Sequence, residues 1–330
     1  MSDKEHNILF SKLPAKPEME QEIINAIDSG DLLIFVGAGI SKLIGYPLWM
    51  ELGKKLADHS PRDVISLSQK SVLFSSGFTP MQIVTILSRR LDKKEKGLGL
   101  KKVVEELSIE VTEKEDVALK IAGYLAAYNA TIITTNADKS LEKTPLDGWQ
   151  VFNSFEEFPM DYKGLPLIHL HGSIEKPSEM VFTSEKYAEK YDVESAFGKK
   201  LWDFLRMKQW TILFVGYGVS EFELLRYFIN FKNDSTRRMF MLSGYLEKDS
   251  IKYEFDSEYF KSLGIYLLPY SREENDYMSL LNVLEKWDKT VKTKTYAGST
   301  RAEEIVESIT SLPPTKESAE IIIKKVNKHG

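Results

Sequence analysis

Leu32-Leu33-Ile34-Phe35-Val36 runs without a break into Gly37-Ala38-Gly39-Ile40-Ser41, and the reading of this stretch decides the fold. Five consecutive apolar residues, three of them β-branched or aromatic, suit a parallel strand buried on both faces. Two glycines directly after such a strand let the backbone turn sharply and approach a ligand that a Cβ would push away. A helix is expected to begin near Ser41 or Pro47, with its free N–H groups available to a phosphate. A tight strand-to-helix turn without any ligand uses the same residues, so the stretch alone leaves both readings open.

Spacing argues against two common nucleotide fingerprints. A dehydrogenase-type turn needs a third glycine three residues after Gly39, and Lys42 stands there. Such folds also place an acidic residue at the end of a second strand soon afterwards, whereas residues 48–128 read mainly as helix. A Walker A loop needs Gly-Lys-Ser/Thr after its spacer, and the chain has no such string. Hydride transfer and P-loop ATP hydrolysis both lose ground.

The totals set outer bounds. The chain has 330 residues, 42% of them hydrophobic and 28% charged, which describes a folded protein with a sizeable core. A formal charge of −5 gives no overall reason to expect nucleic acid as a partner. There are no cysteines, so disulfides, thiol nucleophiles and Cys-ligated zinc are excluded together. No signal-peptide core follows Met1-Ser2-Asp3-Lys4-Glu5-His6 and no apolar run spans a membrane, so a cytoplasmic location with no membrane partner is expected.

Outward from the opening strand, residues 1–16 read as a loose arm and Glu18–Ser29 as a helix stopped by Gly30. Leu48, Leu52 and Leu56 give a short amphipathic helix ending at His59, a solvated or capping residue without assigned chemistry. Residues 61–128 read as a helical insertion, a candidate lid over the glycine turn. Further strands are expected at Thr131–Thr134, near Gln150–Asn153, at Leu165–Leu170, Thr211–Val215, Met239–Ser243 and Ile265–Leu268. Helices are expected at Ser195–Trp210 and Glu221–Phe231. The expected domain spans 17–272, and 273–330 forms a helical tail with segments at Glu273–Lys289, Arg301–Thr310 and Lys316–Val326. Strands alternating with helices predict an α/β fold with a doubly wound, mainly parallel sheet. In that architecture ligands bind beyond the carboxyl ends of the strands. Gly37/Gly39, Asn136/Asp138, His171/Gly172 and Gly216/Gly218 each fall just past such an end, so four strands deliver unusual residues to one rim.

Those four short motifs, in this order, resemble the sirtuin (SIR2) superfamily over roughly residues 20–270. Gly37-Ala38-Gly39-Ile40-Ser41 is similar to its first NAD-binding turn and Thr135-Asn136-Ala137-Asp138 to its Asn/Asp motif. His171-Gly172 resembles its catalytic histidine motif, and Gly216-Tyr217-Gly218 its later glycine turn. Protein-deacylating members carry a four-cysteine zinc ribbon, absent from this cysteine-free chain. Their first turn continues into Pro-Asp-Phe-Arg, whereas Leu43-Ile44-Gly45-Tyr46-Pro47-Leu48-Trp49 stands here. The pattern resembles instead the SIR2-like domains of bacterial antiphage defence proteins. That resemblance implies hydrolysis of NAD to nicotinamide and ADP-ribose, with NAD as substrate and no metal. It also implies a homo-oligomer, with a partner ATPase or sensor protein restraining the activity.

The residues suit that chemistry. Asn136 offers both a donor and an acceptor to fix a ribose or a water. His171 suits a general base, since an unperturbed imidazole titrates near pH 6.5. Asp138 is assigned to orienting the nicotinamide end or the Asn136 loop. Ala38 and Thr135 are expected cofactor contacts, and Ser41, Ser220 and Glu221 expected ribose or phosphate contacts; Trp49 and Tyr217 either stack on a ring or belong to the core. Plainer roles use the same residues: Asn136 and Asp138 as helix caps, His171 as a strand-end histidine bonded to backbone, and His169 as structural. NAD-dependent ADP-ribosyl transfer, deacylation and a non-catalytic NAD- or ADP-ribose-sensing module stand as the alternatives.

Overall fold

The computed structural model describes residues 16–108, 114–142, 149–218, 222–232, 238–273 and 278–310. The expected arm, Ser220, Glu221 and the segment Lys316–Val326 lie outside them, apart from Lys16. α1 (Gln21–Ser29) buries Ile23, Ile24 and Ile27 and ends at Gly30, whose φ of 74° is the left-handed conformation that terminates helices. β1 (Leu32–Val36) follows, every residue of it buried. Its side chains point alternately to the two faces. Each fully buried aliphatic or aromatic side chain contributes about 1.5–3 kcal/mol.

α2 (Ala38–Ile44) begins at once, three residues before Ser41, with Gly37 extended at its N-cap. Then come α3 (Trp49–Asp58), α4 (Leu67–Ser75), α5 (Pro80–Asp92), α6 (Leu98–Leu107) and α7 (Glu115–Ala126). Ser66 and Thr79 accept from the backbone of Gln69 and Gln82, and each glutamine side chain accepts from the capping residue's N–H in return, which fixes the starts of α4 and α5. β2 (Thr131–Thr134), β3 (Trp149–Phe152) and β4 (Leu165–His169) lead to α8 (Ser184–Lys190) and α9 (Ala196–Arg206). The chain continues through β5 (Thr211–Val215), α10 (Phe222–Ile229), β6 (Arg238–Tyr245), α11 (Ser250–Ser262), β7 (Ile265–Ser271) and α12 (Met278–Thr310). The two helices expected at 273–289 and 301–310 are thus one continuous α12.

The seven strands form one sheet in the order β3-β4-β2-β1-β5-β6-β7, and every pairing is parallel. Helices cover both faces, which is the doubly wound arrangement. Leu32, Ile34 and Val36 share one core with α1, α2, α7 and α12, while Leu33 and Phe35 share the other with α9 and α10. A third core joins α3, α5 and α6 through Leu52, Leu56, Ile83, Leu87 and Val103, and adds Met180 and Phe182 from the segment after β4. The helical unit standing over the rim therefore spans 49–107, while α7 packs on the sheet. The order of strands reverses between β1 and β5, so the carboxyl ends around β1 are where the fold opens a crevice. Among the described residues no helix is long and apolar enough to cross a membrane.

Candidate active site

The tips of β1, β2 and β4 meet under the helical unit. Asn136 sits on the turn after β2 with its backbone N–H bonded to Thr134 Oγ1 at 3.1 Å. Its side-chain Nδ2 donates to the Gly37 carbonyl at 3.0 Å. That bond orients the amide and leaves Oδ1 to accept from something else. Its carbonyl lies 2.8 Å from His169 Nδ1, and His169 Nε2 faces Glu142 Oε1 at 3.1 Å. His169, read from the sequence as structural, thus clamps the turn that carries Asn136.

Two residues on, Asp138 is buried and accepts from Ser41 Oγ at 2.6 Å and from the Ser140 N–H at 3.0 Å. The first bond ties α2 to the β2 turn across 97 residues of chain. Asn136 does not cap but holds β1, whereas Asp138 holds α2 and also makes the local bond to the Ser140 N–H expected of a capping aspartate.

His171 follows β4, its ring 2% exposed. Nδ1 lies 3.1 Å from the Tyr187 hydroxyl of α8, and Nε2 is buried without a hydrogen-bond partner among the described residues. Tyr187 and Tyr191 meet the imidazole edge to face, with centroids at 5.0 and 5.7 Å. Burial above all, then the nearby Lys190 ammonium, push its pKa down to about 3, against an opposing backbone contact from Thr135. The imidazole is neutral at neutral pH.

Asn136, Asp138 and His171 line one narrow cavity of about 50 Å³, together with Ala38, Ser41 and Thr135 from the two adjoining turns. Trp49 and Leu52 of α3, Val103 and Leu107 of α6, and the segment Met180–Phe182 close it from above. Among the described residues that line it, Asp138 is the single formal charge. Among the described residues no cluster of His, Asp or Glu has the arrangement of a metal site.

The glycines behave differently from the expected phosphate cradle. The Gly37 N–H donates to Val215 O at 3.0 Å and the Gly39 N–H to Gly216 O at 2.8 Å. A Cβ on Gly37 would stand 2.5 Å from Tyr217 Cα, and one on Gly39 would stand 2.9 Å from Gly216 Cα. Both glycines make room for the tip of β5, and their amides are already engaged there. Gly216 itself has a φ of 61°, and Tyr217 stacks on Phe214 at 5.7 Å as part of the core. Gly37, Gly39, Gly216, Tyr217 and Gly218 do not line the cavity; Ala38, between the two glycines, does. Sequence reasoning did not find Tyr187 or Tyr191. Their i, i+4 spacing in the otherwise charged Ser184-Glu185-Lys186-Tyr187-Ala188-Glu189-Lys190-Tyr191 was the available signal.

Comparison with known proteins agrees with this geometry. Residues 130–268 match the family model described as the SIR2-like domain. A protein named NAD(+) hydrolase ThsA, from Bacillus cereus (strain MSX-D12), is 25% identical over 291 residues, covering 79% of this chain and 55% of the relative. The chain spans about half the length of that curated relative. Asn136, Asp138 and His171 lie inside the matched span, whereas Ala38 and Ser41 reach the same cavity from outside it. Residues 130–268, which carry most of the parallel sheet and its carboxyl-edge crevice, are thus similar to the SIR2-like domain.

Proposed function

We propose that this chain hydrolyses NAD to nicotinamide and ADP-ribose, and that the reaction depletes NAD in antiphage defence. The observation that supports the reading best is the meeting of an anchored Asn136 amide and a neutral His171 at one crevice on the carboxyl edge of the sheet. The activity named for the relative points the same way.

Cleavage of the nicotinamide–ribose bond releases a neutral base from a cationic linkage, so positive charge moves onto the ribose in the transition state. Asn136, held through Nδ2 by Gly37, presents Oδ1 to a ribose hydroxyl or to the attacking water. His171 takes the proton that this hydroxyl or water gives up, a step of the kind that contributes roughly 10²–10⁴-fold. Burial is the main cause of its low pKa and keeps the ring neutral, with a lone pair free to take a proton. The Asp138 carboxylate, bonded to Ser41, favours the cationic pyridinium end of the dinucleotide.

The cavity of about 50 Å³ is far smaller than the several hundred Å³ usual for a drug- or cofactor-sized ligand. A chromatographic assay of nicotinamide release tests the reading. Wild type is expected to release nicotinamide and ADP-ribose in equal amounts, and Asn136→Ala and His171→Ala to lose the activity while keeping the fold. Full turnover in both variants removes these residues from the mechanism.

A further inference from the structure

His171 is held by a residue that no motif contains. The turn after β4 is fastened to the segment leading into α8: the Val181 N–H donates to His171 O at 2.8 Å. A Cβ on Gly172, whose φ is 73°, would stand 2.7 Å from the Glu179 carbonyl group. The Thr183 side chain caps α8 by accepting from the Lys186 N–H. One helical turn later that helix brings Tyr187, fully buried, against the imidazole. The ring and the phenol are therefore fixed relative to one another by backbone on both sides.

We propose that Tyr187 is a positioning residue for His171: its hydroxyl holds Nδ1, selects the tautomer protonated there, and leaves Nε2 to take the reacting proton. The inference deepens the NAD-hydrolysis reading and rests on it for the word reacting. A free neutral imidazole favours the proton on Nε2, and in that form Nε2 accepts nothing. A base acting through Nε2 needs its N–H on the other nitrogen, and a partner there to keep it. The Tyr187 oxygen, 3.1 Å from Nδ1, is that partner; Nε2 has no hydrogen-bond partner among the described residues, and the Thr135 backbone also bears on the ring, favouring its protonated form. When Nε2 binds the proton released by the water or ribose hydroxyl, the Nδ1–H···Oη bond persists and strengthens, because its donor is now charged. No proton leaves Tyr187 at any stage. The edge-to-face packing of Tyr187 and Tyr191 on the ring keeps it from turning over to exchange its nitrogens.

The test is nitrogen-15 imidazole spectroscopy of the full chain at neutral pH, with His171 identified among five histidines by the signal lost in His171→Gln. Wild type is expected in the Nδ1–H form and Tyr187→Phe in the Nε2–H form or a mixture. Alongside it, Tyr187→Phe is expected to lower kcat for nicotinamide release by about 10–100-fold with KM changed less than twofold, the scale usual for loss of a supporting hydrogen bond. An Nε2–H tautomer in wild type overturns the proposal, as does a tautomer that Tyr187→Phe leaves unchanged. A KM increase at unaltered kcat overturns it too, since that would make Tyr187 a binding support only. The spectrum needs no turnover, so a Tyr187-dependent tautomer in a protein that releases no nicotinamide would sink the reaction and keep the positioning.

Discussion

The Asn136 side-chain nitrogen donates to the Gly37 carbonyl at 3.0 Å, joining residues 99 positions apart across the tips of β2 and β1. The bond decides which end of the amide faces the crevice. Asn136→Asp keeps the size and removes the donor, setting a carboxylate oxygen against a carbonyl oxygen. This variant is expected to lose nicotinamide release as completely as Asn136→Ala. It should also be less stable than Asn136→Ala by about 1–3 kcal/mol in urea unfolding, the scale for a buried polar group facing the wrong partner. Equal stability of the two variants would show that the amide is not held by Gly37.

Glycine substitutions separate the rim positions. A Cβ on Gly37 meets the Tyr217 backbone at 2.5 Å, and backbone yields poorly. Gly37→Ala is expected to lose about 1–3 kcal/mol of stability, the range for overpacking a tight contact. Among the described residues no atom lies within 4 Å of the corresponding point on Gly218, so Gly218→Ala should stay within about 0.5 kcal/mol of wild type. Thermal unfolding of the pair reads the contrast directly.

Acid sensitivity follows from His171. Its folded-state pKa is depressed to about 3, well below the ordinary value near 6.5. The unfolded chain therefore binds a proton at this site before the folded one does. The stability involved is fully present above about pH 6.5 and declines as the pH falls toward 3, at up to about 1.4 kcal/mol per unit. Between pH 7.5 and pH 5, wild type is expected to lose about 2 kcal/mol more than His171→Gln in urea unfolding. Parallel losses in the two proteins would contradict the burial of that ring.

His169 offers a test of the clamp on the Asn136 turn. In His169→Phe the ring volume is nearly kept, but the Asn136 carbonyl and the Glu142 carboxylate lose their shared partner. The expected outcome is a loss of about 1–3 kcal/mol together with a kcat reduced more than KM is raised. His169→Gln, able to reach one of the two acceptors, should recover part of both.

The strands and the rim residues were legible because local pattern suffices for them. Five apolar residues in a row at β1 have few alternatives to a buried strand, and Asn136 and His171 stand out because polar groups directly follow apolar runs. Partners distant in the chain were not legible. Nothing local says that Ser41 meets Asp138 or that Tyr187 turns back onto His171, since both depend on how helices pack over the rim. The glycines mark the limit most clearly. Gly37 and Gly39 announce that something comes close, and sequence offered a ligand; the backbone of Gly216 and Tyr217 occupies that side. Helix boundaries moved for a similar reason: α2 starts at Ala38 because Gly37, extended and hydrogen-bonded to β5, ends the strand abruptly.

The Glu106 carboxylate of α6 is bonded to the ring of His59 at the end of α3, with the Lys55 ammonium 3.9 Å away. Those two helices also share one apolar interior with α5. The roof above the crevice is consequently a single panel rather than a pair of independent flaps. A substitution anywhere along that seam therefore disturbs the cover of the crevice as a whole, not one helix of it.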